Sequence, residues 1–241
     1  MMLRELEESP ESPLKALRSL RTRKLNNEQR FTHFTRRFST QVSDSSCFNV
    51  SLNKNGELAA VSLFDGSLKI VNAMDGDIEY NIKDDDMRTP ITSLSWFNSL
   101  EGIKREEQLL GACLNGSIVR WTKGMRNSVE HITLNEENSY HAIDCSDDLQ
   151  KFCIAGSQPY IEIYDKKRLN LIQTIGDKVL KPAHTSKIFT CKFNRNDDNM
   201  IYSGSWDRQV RFWDVRANKM SCSIGGKTSI TGDAIDISHD N

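Results

Sequence analysis

Short runs of alternating apolar and polar residues, separated by turn residues, follow one another along most of the chain. The first series begins at Cys47 and ends at Ile82. Within it, polar turns fall at 53–56, 64–66 and 75–76. Alternation with a period of two is typical of half-buried strands, and tight turns join antiparallel neighbours. This series therefore predicts four short strands in an antiparallel meander.

The same pattern occurs four times along the chain, over residues 47–82, 91–134, 139–175 and 183–224. The third run of each copy ends in a corresponding pair of residues, and the second members of these pairs are 50, 43 and 49 residues apart: Val71-Asn72, Trp121-Thr122, Tyr164-Asp165 and Trp213-Asp214. Recurrence at such an interval is typical of repeat proteins. The second copy contains a longer charged segment, 97–108, which predicts a surface loop.

The fourth copy, from Ala183-His184 to Trp213-Asp214, resembles a WD40 repeat. The other three copies share its strand pattern and turn placement more than its characteristic residues. The resemblance covers residues 47–241 and implies an all-β fold, a WD40 β-propeller, in which each copy is a four-stranded blade around a central axis. Rings of this family usually have about seven blades of ~40–45 residues.

Residues 232–238 match the first strand of a further copy, a partial blade over 232–241. The turn after that strand would fall at about position 250, judging from the repeat length, and the sequence stops at Asn241. We therefore expect about four blades plus the first strand of a fifth, an incomplete and truncated ring. A longer isoform and a second chain that supplies the missing blades both remain open explanations.

Composition is ordinary for a globular protein, with 37% hydrophobic and 27% charged residues. No apolar run is long enough to predict a membrane span, and the acidic start lacks the apolar core of a secretory signal. The six cysteines form no CxxC pair and have no histidine at zinc-finger spacing. We expect reduced core cysteines, no metal, no cofactor, and a cytoplasmic or nuclear location.

The net charge of −1 is unevenly distributed. The first ten residues carry −2 and residues 11–40 carry +6, so residues 41–241 carry −5. Residues 1–45 therefore predict a basic, disordered arm, in which leucines near helical spacing allow a short amphipathic helix. Aromatic residues between the basic ones also allow an RNA-binding segment, although the acidic body disfavours it.

One copy combines a histidine, a serine and an aspartate, the residue types of a hydrolase triad: His184, Ser203 and Asp207. No GxSxG turn surrounds the serine. The resemblance implies a different role, because in WD40 blades these positions and Trp213 form a buried hydrogen-bonded tetrad that fixes the blade. We therefore predict a structural tetrad, no catalytic residue and no enzymatic activity.

The residue immediately before the central turn residue differs among the copies: Phe64, Leu114, Ser157 and Trp206. The resemblance implies that this position points out on the narrow, ligand-facing rim. Because exposed aromatic and large apolar side chains mark contact sites, we predict that Trp206, Phe64 and Leu114 bind partners. The alternative is that each of them packs sideways against a neighbouring blade.

A further motif, Trp213-Asp214-Val215-Arg216, resembles the WDxR box by which some WD40 proteins join the adaptor of a cullin-type ubiquitin ligase. Arg216 would then contact the adaptor, and the alternative is a solvated turn arginine. The leading hypothesis is a non-enzymatic scaffold for proteins in a multiprotein complex, with no small-molecule substrate and no membrane contact. A ligase substrate receptor and an RNA-associated protein are the alternatives.

Overall fold

The structure is a computed structural model that describes residues 38–83, 88–101, 104–123, 128–147, 150–176 and 183–238. Of residues 98–101, 104–106 and 128, only the backbone is described. Most of the predicted basic arm, residues 1–37, lies outside the described residues.

Sixteen strands make up four separate four-stranded antiparallel sheets in the described part of the chain. Within each sheet the strands follow one another in chain order, so every sheet is a simple meander. We number these sheets blades 1 to 4. The strands are β1 Cys47–Leu52, β2 Leu58–Leu63, β3 Leu68–Asn72 and β4 Ile78–Ile82 in blade 1; β5 Ile91–Glu101, β6 Lys104–Cys113, β7 Ser117–Thr122 and β8 Ser128–Thr133 in blade 2; β9 Tyr140–Cys145, β10 Lys151–Gly156, β11 Ile161–Asp165 and β12 Leu171–Ile175 in blade 3; and β13 Ile188–Phe193, β14 Met200–Ser205, β15 Gln209–Asp214 and β16 Lys219–Gly225 in blade 4. The all-β expectation is thereby confirmed.

The turn between the second and third strands has a common construction. In blade 1 the Asp65 carboxylate accepts the backbone N–H of Ser67 at 3.0 Å, and in blade 4 Asp207 accepts that of Gln209 at 3.0 Å. The chain takes a positive φ within this turn, at Gly66 in blade 1 and at Arg208 in blade 4. Short side chains that bond their own turn explain why Asp recurs at this point of the repeat.

The core lies between neighbouring blades. Apolar residues on the facing sides of adjacent sheets form three clusters, which fill the gaps between blades 1 and 2, 2 and 3, and 3 and 4. Trp121, Tyr140 and Trp213 are the largest fully buried side chains of the respective clusters. Because burial of one such side chain contributes about 1.5–3 kcal/mol, these contacts hold the blades side by side.

The first strands β1, β5, β9 and β13 lie next to one another in that order. The ring is not closed between blades 4 and 1, which fits an incomplete propeller. Consequently the outer face of blade 1 leaves Val50 and Leu52 66% and 59% exposed, although their strand pairs normally with β2.

The charged segment 97–108 is not the loop that the sequence predicts. Strand β5 continues to Glu101 and β6 resumes at Lys104, with backbone pairing maintained from Phe97 with Gln108 to Glu101 with Lys104. A long hairpin satisfies the backbone N–H and C=O groups that an irregular loop would leave to solvent.

The segment 232–238, predicted as the first strand of a fifth blade, is not paired in a sheet in the described part of the chain, so this strand stays a prediction. The segment lies against blade 4: Asp233 accepts hydrogen bonds from Lys192 at 3.1 Å and Thr190 at 3.4 Å. Just before it, Ile230 N–H donates to the Ser205 carbonyl at 3.2 Å. A strand needs a hydrogen-bonding neighbour, and in the described part of the chain no strand follows β16.

Candidate functional site

A chain of hydrogen bonds connects four residues inside blade 4. His184 Nδ1 lies 2.8 Å from an Asp207 carboxylate oxygen, and His184 Nε2 lies 2.7 Å from Ser203 Oγ. Trp213 Nε1 donates to the same Ser203 oxygen at 2.7 Å. The serine, the histidine and the tryptophan are buried, so the group is closed to solvent.

The protonation of this tetrad follows from its surroundings. Burial lowers the pKa of His184, although Asp207 opposes the change. Burial alone would raise the pKa of Asp207, but the hydrogen bond from His184 and those from backbone N–H groups outweigh it and lower that pKa. A neutral histidine therefore donates from Nδ1 to the carboxylate and accepts the Ser203 hydroxyl proton at Nε2.

The order Asp207–His184–Ser203 is that of a hydrolase triad, but its surroundings are those of a structural network. Ser203 has 0% exposure, and its oxygen accepts the indole N–H, so a substrate carbonyl cannot approach it. A fully satisfied buried network rigidifies the elements that it joins. The tetrad fixes the position of the turn that contains Asp207.

Blade 3 contains a different buried network that sequence reasoning missed. Glu162, buried in β11, accepts from the Tyr140 hydroxyl at 2.8 Å, from Asn135 at 2.9 Å and from Asn138 at 3.4 Å. Burial, together with Glu162, raises the pKa of Tyr140. The one available signal was a glutamate between Ile161 and Ile163, in a strand that is otherwise apolar.

The turns between second and third strands lie at one end of every blade, and we call this end the Trp206 rim. Trp206 is 48% exposed there and Phe64 is 61% exposed, while Leu114 is half-buried. The remaining turns within the blades lie at the other end, which we call the opposite rim. The three predicted apolar contact residues therefore share a rim, although they stand on different blades.

Each exposed aromatic residue on this rim contacts an aromatic residue of the first strand in its own blade. The rings of Phe189 and Trp206 lie 5.6 Å apart in blade 4, and those of Phe48 and Phe64 lie 6.5 Å apart in blade 1. Phe48 and Phe189 occupy corresponding positions in their blades, at the bulge where the register between the first and second strands shifts. Aligning the two copies would have revealed this pair.

The aromatic contact continues from blade 4 into blade 3. His141, at the corresponding bulge of β9, stacks on Phe189 with ring centroids 4.7 Å apart and an interplanar angle of 9°. Lys187 Nζ lies 5.8 Å from the Trp206 ring centroid, a cation–π distance. His141, Phe189 and Trp206 thus form one aromatic stripe across two blades, which sequence reasoning did not find.

Arg216 is not near Trp206. It is exposed in the turn between β15 and β16, on the opposite rim. Its charge acts on Asp197, whose pKa is lowered first by hydrogen bonds from Asn199 and then by Arg216. The predicted partner-binding residues therefore belong to two separate surfaces.

No group of three or more His, Cys, Asp or Glu side chains in the described residues is arranged to hold a metal ion. In the same part of the chain, no helix has the length and hydropathy needed to cross a membrane.

Comparison with known proteins identifies one repeat and the fold. The family described as WD domain, G-beta repeat matches residues 176–214. A chain of a solved structure entitled "Crystal Structure of Mitotic Checkpoint Complex" superposes with a TM-score of 0.63 at 14% sequence identity. The match covers 78% of the present chain and 53% of that chain, so the present chain spans about half its length. Because 1309 solved chains match, the likeness indicates a fold and not a function. No curated protein matches the sequence.

Proposed function

Because residues 176–214 match a WD40 repeat and the chain has the fold of a β-propeller, we propose that it is a non-enzymatic scaffold whose Trp206 rim binds a protein partner. The observation that carries the proposal is the half-exposed indole of Trp206 in a turn of fixed geometry. Tryptophan is among the residues most enriched at the centres of protein interfaces.

Several contacts hold the backbone of this turn. Trp206 N–H donates to the Lys187 carbonyl at 3.0 Å, and the Trp206 carbonyl accepts the Ser229 hydroxyl at 3.1 Å. The next residue, Asp207, belongs to the buried tetrad. Since the turn is ordered before binding, association loses little conformational entropy there. The buried state of Ser203 supports a non-enzymatic role.

The test is recovery of interacting proteins with the 241-residue chain and its Trp206→Ala variant. Leu171→Ala is the matched control, because Leu171 is 49% exposed on the outer strand of blade 3. We expect Trp206→Ala to reduce recovery of at least one stoichiometric partner by about tenfold or more and Leu171→Ala to leave it unchanged. Equal recovery by the unmodified chain and both variants, with equal melting temperatures, would contradict the proposal.

Arg216 supports a second proposal, that of a substrate receptor for a cullin-type ubiquitin ligase. Its guanidinium is exposed on the opposite rim, so an adaptor and a substrate would occupy different ends of the blades. Loss of a ligase adaptor from Arg216→Ala would support this function. Retention of every partner by that variant would contradict the proposal of a ligase receptor.

A further inference from the structure

We propose that the partner segment bound at the Trp206 rim is acidic, with an apolar side chain that packs on the aromatic stripe of His141, Phe189 and Trp206. This inference rests on the proposed function and specifies the chemistry of the partner. It follows from the charges that surround the exposed indole.

Three exposed cations flank Trp206. The Lys187 carbonyl accepts the Trp206 N–H, and the Lys187 ammonium lies 5.8 Å from the centroid of the Trp206 ring. Arg208 follows two residues later, and its carbonyl accepts the N–H of Gly226 at 2.7 Å, which brings Lys227 to the same end of the blade. The loop before β13, the central turn and the end of β16 therefore each contribute one positive charge to this rim.

The local carboxylate does not neutralise these cations. Asp207 lies in the same turn, but its side chain is buried against His184 and lies 3.7 Å from Arg211. Asp233 pairs with Lys192 at 3.1 Å. In the described residues no salt bridge involves Lys187, Arg208 or Lys227. A partner that supplies carboxylates would form ion pairs with these three cations. Complementary charges of this kind speed association and select partners.

A protein segment fits this surface better than a nucleic acid. Residues 41–241 carry a net charge of −5, so the field around the blades repels a long polyanion. Nucleic-acid binding through phosphates relies on about 6–10 contacts to cations, and this rim offers three. A short acidic segment needs few charges, and its apolar side chain gains contact area from the stripe.

The experiment measures fluorescence anisotropy of three labelled probes with the 241-residue chain. The probes are a short peptide of glutamates around one central phenylalanine, the same peptide with glutamines in place of the glutamates, and oligothymidylate. The charge-reversal protein is Lys187→Glu/Arg208→Glu/Lys227→Glu. Its matched control is Lys54→Glu/Lys167→Glu/Lys219→Glu, which makes the same change in charge at exposed residues of the opposite rim.

We expect the acidic peptide to bind most tightly, with an affinity that falls as salt is added. The rim variant should weaken it by about tenfold or more, and the control variant should not. The inference is overturned if the acidic peptide does not bind at low salt, if the glutamine peptide binds equally, or if both variants weaken binding alike. Tighter binding of oligothymidylate that the rim variant abolishes would assign the surface to nucleic acid instead.

These outcomes are separable from those of the proposed function. A partner that Trp206→Ala loses and the rim charge variant retains would contradict only the acidic character of the bound segment. A partner that neither variant loses would contradict the proposed function as well.

Discussion

The indole N–H of Trp213 donates to Ser203 Oγ at 2.7 Å, and this bond completes the tetrad of blade 4. The corresponding residue of blade 2, Trp121, is equally buried, but its N–H has no partner among the described residues. Strand register explains the difference, because Gly111 occupies in β6 the position that Ser203 occupies in β14. The same buried ring is therefore satisfied in one blade and unsatisfied in another.

Replacing each tryptophan by phenylalanine should separate these two states. Both variants lose a similar ring volume, but Trp213→Phe also breaks a hydrogen bond, whereas Trp121→Phe removes a buried N–H that has no acceptor. We expect Trp213→Phe to lower the free energy of unfolding by about 1–2 kcal/mol more than Trp121→Phe does. Chemical denaturation of the two variants measures this difference, and equal losses would show that the tetrad bond does not stabilise blade 4.

Restoring the missing acceptor at Gly111 should not stabilise blade 2. A Cβ atom at this position would lie 2.7 Å from Ile91 Cγ2, which is held in the core between blades 1 and 2. We expect Gly111→Ser to destabilise the protein by about 1–3 kcal/mol, because overpacking outweighs the gained hydrogen bond. A rise in melting temperature for Gly111→Ser would show that β5 can move aside.

Stability should fall as the pH decreases from about 7 to about 5. Burial lowers the folded-state pKa of His184, and burial followed by the Lys187 charge lowers that of His141, each below the ordinary value of 6.5. The unfolded state therefore binds protons more readily once the pH falls below that value, and stability is lost until the folded-state pKa is passed. Melting temperatures across this range should fall less steeply for His184→Gln, and an unchanged slope would mean that His184 has the same pKa in the folded and unfolded states.

The rates at which the six cysteines react with a thiol reagent should increase with their exposure. Cys47 is exposed and Cys222 partly exposed, whereas the other four are buried. Burial raises the pKa of Cys113 to about 11 and also raises that of Cys153. Because the thiolate is the reactive form, we expect maleimide to label Cys47 first, Cys222 more slowly, and the rest only after unfolding. Mass spectrometry of labelled peptides would detect early modification of Cys153, which would contradict the buried core between blades 3 and 4.

The repeat pattern predicts the strands well where turn-forming residues separate one strand from the next. The turns at Asp65 and Asp207 hold their own backbone through local hydrogen bonds, so their positions depend on nearby residues alone. The segment 232–238 is a different case, because its alternation matches a first strand but pairing also requires a neighbouring strand, which a local pattern does not supply.

The sequence pattern did not predict which side chains of different blades contact one another. His141 and Phe189 are far apart in the chain and meet because adjacent first strands carry bulges at the same level. Trp206 and Arg216 show the converse case: they are close in sequence, but β15 carries the chain from one rim to the other between them. The distribution of candidate residues over two surfaces thus followed from topology and not from spacing.

The most direct measurement of the central claim is photo-crosslinking from each rim. Benzoylphenylalanine placed at exposed Thr228, next to the Ser229 that bonds the Trp206 carbonyl, reports on the Trp206 rim, and the same group at residue 216 reports on the opposite rim, in otherwise identical chains. The Trp206 rim should yield a discrete protein adduct that position 216 does not form. An adduct from position 216 alone would contradict the account and assign partner binding to the opposite rim.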